Sequence, residues 1–229
     1  MTLQSSGAIS TGDIRTELGL TGTISLNDSI VRALLGKSSG AISLSDGYGK
    51  SAYATTPGTP YYTSITQTTF TINWSASSNV SSYIVKIYIG SAWYTYSTTT
   101  GLSVNVTAAD PNTTYYFAIV AVSQIGYETW GAYAGLTTLP NLPGTPGTPT
   151  YTSVTSTKVT LNWTASSGVV DYYYIYIWNG SSWDYIGYTY GLSLVVSGLN
   201  PNTTYYFYVV AYNTAGNTPG SYSSVTTLP

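Results

Sequence analysis

Three serine–aspartate pairs recur early in the chain with one spacing: Ser10/Asp13, Ser25/Asp28 and Ser43/Asp46. Ser-x-x-Asp ahead of an apolar run caps a helix, the hydroxyl and the carboxylate each taking a free amide at its start. The other chemistry open to it is cation binding, but a calcium loop clusters several Asp, Asn and carbonyl ligands. Here single carboxylates are strung along the chain, so capping is the expected role. Asp171 and Asp184 could be offered as the paired carboxylates of a glycosidase. One stands at a loop start and the other beside a hairpin, with no cleft expected between them. The chain has no histidine and no cysteine. The commonest general base, thiolate nucleophiles, disulfides and the usual transition-metal ligands are therefore missing. No enzyme activity, cofactor or metal is expected.

Charge narrows the partners further. Charged residues are 6% of the chain and the net charge is -2, which gives no basic field for nucleic acid. No apolar run approaches the ~18 residues that would cross a bilayer, and the N-terminus lacks the basic and apolar regions of a secretory signal. Most of the charge lies in residues 1–53; beyond them stand only Lys86, Lys158, Asp110, Glu128, Asp171 and Asp184.

The elements that must position any site come in copies. PNTTYYF occurs at Pro111–Phe117 and again at Pro201–Phe207, inside a repeat of about ninety residues that begins TPGTP and ends TTLP in both copies. That period describes a tandem domain, being too long for a solenoid unit. Trp74 recurs as Trp163 and Trp93 as Trp183, with a one-residue slip that puts an insertion in the loop before Tyr172. Thr, Val, Ile, Tyr and Trp alternate with polar residues in short runs separated by Gly, Pro, Asn and Ser, the pattern of strands. TKVTLNW, YYYIYIW, WDYIGYT, LSLVVSG and TYYFYVVAYN are successive strands of the second copy, with a turn at Asn179-Gly180. The expected domains are 1–53, 54–140 and 141–229, and each repeat should be a sandwich of about seven strands.

Within the second copy, LNPNTTYYFYVVA (Leu199–Ala211) resembles the signature of fibronectin type III domains. The resemblance implies that Trp163 and Trp74 are core tryptophans. It also implies that Tyr205 and Tyr115 are tyrosine corners, whose hydroxyls bond backbone just upstream. The repeated word is then a structural lock: Pro ends a strand, Asn-Thr turns the chain and Tyr closes the corner. Ala109 departs from the pattern where the second copy has Leu199, so the first sandwich should pack less tightly, by ~2 kcal/mol if nothing compensates. The fold class expected is mainly β: two tandem fibronectin type III (immunoglobulin-like) sandwiches after a small α+β module.

In that module, IRTELGL and SIVRALL follow the first two Ser-x-x-Asp pairs, predicting short helices near 12–18 and 27–35. Residues 5–51, including ISLNDSIVRALLGKSSGAISLSDGYGKS, resemble a short N-terminal module of tailed-phage structural proteins. About 50 residues without cysteine or metal are marginal alone, so an anchor that completes its core against another protein is expected; the alternative is a small folded cap packed on the first sandwich. The resemblance implies a phage virion protein of tail, baseplate or capsid surface, located on the particle. Residues 1–53 would dock to other virion proteins in a homo-oligomer or symmetric array. Proline-rich spacers at Thr55–Pro60 and Leu139–Pro149 would hold the projecting sandwiches as a short rod. The alternative is a cell-surface adhesion or carbohydrate-binding module with no virion role.

Alternation singles out one surface. With Tyr173, Ile175 and Ile177 inward, Tyr174, Tyr176 and Trp178 turn outward beside Tyr172. With Tyr205, Phe207, Val209 and Ala211 inward, Tyr206, Tyr208 and Tyr212 turn outward. In the resembled fold these strands neighbour one another in its three-stranded sheet, giving a tyrosine-rich face able to bind a sugar, such as a host-surface carbohydrate, or a protein. The matching face of the first copy, Ile84, Lys86, Tyr88, Tyr116, Ala118 and Val120, is milder.

Overall fold

A computed structural model describes residues 2–229. It divides into two compact units, one holding the residues through Ile65 with Thr69–Ala108 and Thr114–Thr137, the other Thr66–Thr68, Ala109–Thr113 and Thr138–Pro229.

In the first unit the N-terminal module contains helices α1 (Thr11–Glu17) and α2 (Ser29–Leu35) and a 3-10 turn, Leu44–Gly47. Ser10 and Asp13 form a reciprocal capping box on α1, and Ser43 and Asp46 form another on the 3-10 turn. The middle pair behaves differently. Asp28 accepts the Ser25 N–H at 2.8 Å but makes no side-chain cap bond to α2. The helix starts at Ser29, two residues later than the sequence pattern suggests, because Leu26–Asp28 are used in the turn that the Ser25–Asp28 bonds close.

The module buries Leu3, Ile9, Ile14, Leu18, Val31, Leu34, Leu35 and Ala52, and Ile125 and Tyr127 of the first sandwich pack against this cluster. Tyr127 also donates its hydroxyl to the Leu18 carbonyl at 2.7 Å. Glu17 is buried, accepting the Ala52 N–H at 2.8 Å. The core thus finds partners within its own chain, as the packed-cap alternative expects, through a turn whose Ile-Gly-Tyr carries no periodic signal.

The first sandwich is built from β1 (Tyr61–Thr63), β2 (Phe70–Asn73), β3 (Val80–Ile89), β4 (Ala92–Thr99), β5 (Ser103–Val106), β6 (Thr114–Ser123) and β7 (Glu128–Thr137). Its sheets have the orders β1-β2-β5 and β4-β3-β6-β7. In the second unit, β8 (Thr150–Thr152), β9 (Lys158–Asn162) and β12 (Ser193–Ser197) form the smaller sheet, in the order β12-β9-β8. The larger one has β11 (Trp183–Thr189), β10 (Tyr172–Trp178), β13 (Thr204–Asn213) and β14 (Gly216–Pro219) in that order, with β15 (Ser223–Thr226) pairing the other half of β13.

Between the sheets of the second sandwich lie Val159, Leu161, Trp163, Tyr173, Ile175, Leu199, Phe207, Val209 and Ala211, all buried. These are the odd-numbered members of alternating runs, as a period of two requires. The extra residue before Tyr172 is absorbed in the loop. Tyr173 accepts the Ser166 N–H at 3.0 Å and Tyr83 accepts the Ser77 N–H at 2.7 Å, the same bond made across seven residues in one copy and six in the other.

The two proline stretches are not spacers. Pro140, Pro143, Pro146 and Pro149 are buried while Thr145 and Thr148 are exposed, a period of three that belongs to polyproline-type backbone. Gly144 and Gly147 donate to the Ser167 and Thr164 carbonyls at 2.8 and 3.0 Å. Proline has no N–H to give, and it is the glycines that make these edge bonds. Pro57 and Gly58 repeat the arrangement on the first sandwich, with Gly58 N–H 3.4 Å from the Ser75 carbonyl.

Candidate interaction face

Strands β10 and β13 lie side by side, but in the five-stranded sheet; the three-stranded sheet carries the opposite wall of the core. This corrects the sequence-based placement, and the reason is local: the hairpin at Asn179–Ser182 folds Trp183–Thr189 back onto β10. The face is therefore wider than the two strands picked out by alternation.

Register decides which rings meet. Tyr172 is directly opposite Tyr212, and Tyr176 opposite Tyr208. Both pairs are stacked, with centroids 4.7 and 4.9 Å apart and planes 15° from parallel. Tyr174 lies edge-on to Tyr212 at 5.8 Å and to Tyr185 at 5.4 Å, and its hydroxyl is 3.0 Å from that of Tyr172. The rings cover the sheet beneath them, since Val210 is buried although it points outward. Trp178 meets Trp183 at 5.4 Å, and Trp183 lies edge-on to Tyr208 at 4.7 Å. Tyr206 stands near the end of the sheet, 6.2 Å from Tyr222. All six residues singled out in the sequence are thus on one face, joined by Tyr172, Trp183, Tyr185 and Tyr222. Of these, Tyr172 was turned outward by alternation and Trp183 recurs from Trp93; Tyr222 lies outside any strand, and its signal is its recurrence from Tyr133.

The face is uncharged and stays so. Its hydrogen bond with Tyr174 pushes the Tyr172 phenol well above its ordinary value, and desolvation raises Tyr208 and Tyr185. Around neutral pH these are hydroxyl donors and acceptors on apolar plates.

On the first sandwich, Ala118 and Val120 point outward yet are 2% and 0% exposed. Trp130 and Tyr133 stand opposite them in register and roof this part of the sheet, and Lys86 lies 5.7 Å from the Trp130 ring. Trp93 meets Trp130 at 6.2 Å.

The four residues marked as structural locks are elsewhere. Trp74 and Trp163 are buried, each edge-on to a tyrosine (Tyr83 and Tyr173) at 5.6 Å. Tyr205 accepts the Asn200 N–H at 2.8 Å, the upstream backbone bond of a tyrosine corner. Tyr115 packs on Phe70 at 6.1 Å. Asn112 and Asn202 hold φ of 51° and 48°, and Thr113 and Thr203 donate to the Pro111 and Pro201 carbonyls.

Asp171 precedes β10, while Asp184 is paired near its far end, opposite Ile177. Six residues of strand separate the two by roughly 20 Å, more than twice the reach of a glycosidase pair. No group of three or more metal-ligating residues occurs among the described residues, and no helix there is long and apolar enough to cross a membrane.

Comparison with known proteins adds the domain type. Residues 144–227 match the fibronectin type III domain. The fold is mainly β, of the fibronectin type III and immunoglobulin-like class, and the first sandwich repeats the sheet orders of the second. A Kelch domain-containing protein of Saccharolobus solfataricus is 32% identical over 119 residues, which are 50% of this chain and 16% of that protein. Among solved structures, a titin domain segment is 15% identical over 75% of this chain and 62% of its own, with a TM-score of 0.52, a likeness of fold alone. The FN1–FN3 domains of chicken CNTN1 are 19% identical over 79% of this chain and 70% of theirs, with a TM-score of 0.44.

Proposed function

We propose that this chain is a non-enzymatic adhesion and assembly protein that works through the aromatic face of its second fibronectin type III sandwich. Domains of this type typically mediate protein–protein or adhesion contacts. The observation that carries the reading is the sheet face itself: stacked Tyr172/Tyr212 and Tyr176/Tyr208 form a half-exposed surface of large, rigid, uncharged rings. Such rings offer contact area at low entropy cost.

The finer reading puts the protein on a tailed-phage particle, with residues 1–53 docked to other virion proteins in a symmetric array and the sandwiches turned to assembly partners or host-surface carbohydrate. The wording of residues 5–51 supports it. A cell-surface adhesion module without virion role is the second reading. In its favour, Ile125 and Tyr127 close the module's core within the chain, so burial creates no demand for a dock.

Gold-labelled antibody against the sandwiches, imaged on particles and on cells of the source culture, separates the two. Regular label on heads or tails establishes the virion role, and label confined to cell envelopes ends it. For the shared reading, Tyr174, Tyr176 and Tyr208 are replaced together by serine; unchanged surface binding and assembly in that variant would remove the face from consideration.

A further inference from the structure

The outward rings of the two sandwiches differ along the central strands. Where the second has Tyr174, Tyr176, Tyr208 and Tyr212, the first has Ile84, Lys86, Ala118 and Val122. At one end of the larger sheet, however, both carry the same construction. Tyr88, Trp93, Tyr116 and Tyr133 line a cleft of about 380 Å³ in the first. Trp178, Trp183, Tyr206 and Tyr222 line one of about 380 Å³ in the second.

The match extends to ring geometry. Tyr88–Trp93 and Trp178–Trp183 are 5.2 and 5.4 Å apart at 56° and 61°. Trp93–Tyr133 and Trp183–Tyr222 are 6.0 and 5.9 Å apart at 53° and 47°, and Tyr116–Tyr133 and Tyr206–Tyr222 are 6.3 and 6.2 Å apart at 72° and 67°. Tyr133 and Tyr222 are 64% and 63% exposed. Equivalent irregularities deliver these last two rings: Tyr133 follows the register shift of β7 against β6, and Tyr222 lies in the break between β14 and β15. Strand propensity explains tyrosine on a strand. It does not explain four positions staying aromatic, with one ring geometry, in both copies while their neighbours on the same face change type.

We propose that these two cages are equivalent ligand sites, one per sandwich, each taking a pyranose unit of a neutral polysaccharide. The assignment rests on the adhesion reading above and specifies its ligand. Neither cage is lined by a charged side chain, so an anionic or cationic ligand would lose water there without gaining a counter-charge. Asp184, next in the chain to Trp183, points to the other side of its strand and accepts the Asn179 amide at 2.9 Å. What each cage offers is inclined aromatic walls edged by phenol hydroxyls, which suit a ring with apolar faces and a hydroxyl rim.

The test titrates the full chain with neutral hexasaccharides (cello-, malto-, laminari-, manno- and chito-oligomers) by calorimetry and saturation-transfer NMR. At least one should bind at two sites per chain, with saturation strongest on pyranose C–H protons. Tyr133→Ser and Tyr222→Ser, both at well-exposed rings, should each reduce the stoichiometry from two to one, as should Trp93→Ala and Trp183→Ala. The Tyr133→Ser/Tyr222→Ser double variant should lose binding at least tenfold, while Val195→Ser, at an exposed position on the smaller sheet, keeps it. Undiminished binding in the double variant overturns the cages as sites. If the chain labels its source surface but binds none of the saccharides, the saccharide assignment falls and the adhesion reading stands. If it labels no surface, the adhesion reading falls too.

Discussion

At Gly147 one hydrogen atom keeps the edge of the second sandwich in place. A Cβ there would stand 2.1 Å from Thr164 Oγ1 and 2.8 Å from the Thr164 backbone nitrogen. Gly147→Ala should therefore cost about 1–3 kcal/mol, the usual penalty of overpacking, and lower the melting temperature of the second sandwich by several degrees. Thr148→Ser, at the adjoining exposed threonine, should leave it unchanged within error of a calorimetric scan. Asp13 and Asp46 make a different residue-level prediction. The Ser10 N–H bond, with that of the Ser10 hydroxyl, holds Asp13 below its ordinary 3.8, and the Ser43 N–H does the same for Asp46. Folded pKa values lie below unfolded ones, so their stabilisation is complete above the unfolded value and fades as pH falls through the folded one. Thermal stability of the N-terminal module should drop below about pH 4, and the Asp13→Asn/Asp46→Asn pair should flatten that decline.

Among the elements, tyrosine hydroxyls reach back to backbone amides and fix where each strand enters the sandwich. Tyr205→Phe would leave the Asn200 N–H without its acceptor, and Tyr173→Phe would do so to Ser166. Tyr173→Phe should destabilise the second sandwich by about 1–3 kcal/mol and Tyr205→Phe, whose partner amide reaches water, by about 0.5–1.5 kcal/mol, seen in urea as a lower midpoint at unchanged slope. If Tyr205→Phe is neutral, the corner holds through ring packing on Phe207 alone. Strands with clean alternation, such as Tyr172–Trp178 and Thr204–Asn213, were legible in the sequence to the residue, because one face of each is buried and the other wet. The first and last strands were not. The TPGTP edge follows a three-residue period instead of two, and Pro219-Gly220 interrupts the closing strand. Membership of Trp183–Thr189 in the larger sheet depends on a hairpin and a bulge at Ile175/Tyr176, neither of which alternation can report. The face was accordingly found, but only in part: its six named rings carry strand signals, whereas Tyr222 joins from the break between two strands.

For the molecule as a whole, the uneven distribution of charge and the packing of the N-terminal module lead to separate expectations. Because Ile125 and Tyr127 complete the module's core, Ile125→Ser with Tyr127→Ala should loosen residues 1–53, with a loss of about 2–5 kcal/mol and faster limited proteolysis between Gly19 and Ser51. A module that stays protease-resistant would have to hold its core without the sandwich. Binding by the sandwiches should be governed by rings and hydroxyls, since Lys86, Lys158, Asp110, Glu128, Asp171 and Asp184 are the only charged side chains after Lys50. Screening shortens electrostatic reach from about 14 Å to about 4 Å between 50 and 500 mM salt. Contacts without charge hardly feel it. Surface binding measured at those two concentrations should therefore agree within about twofold, and a slight strengthening at high salt would fit burial of apolar rings. A fall of tenfold or more would instead place the contact in the N-terminal module, where Arg15, Arg32, Lys37 and Lys50 are found, and would move the search for a partner away from the aromatic face.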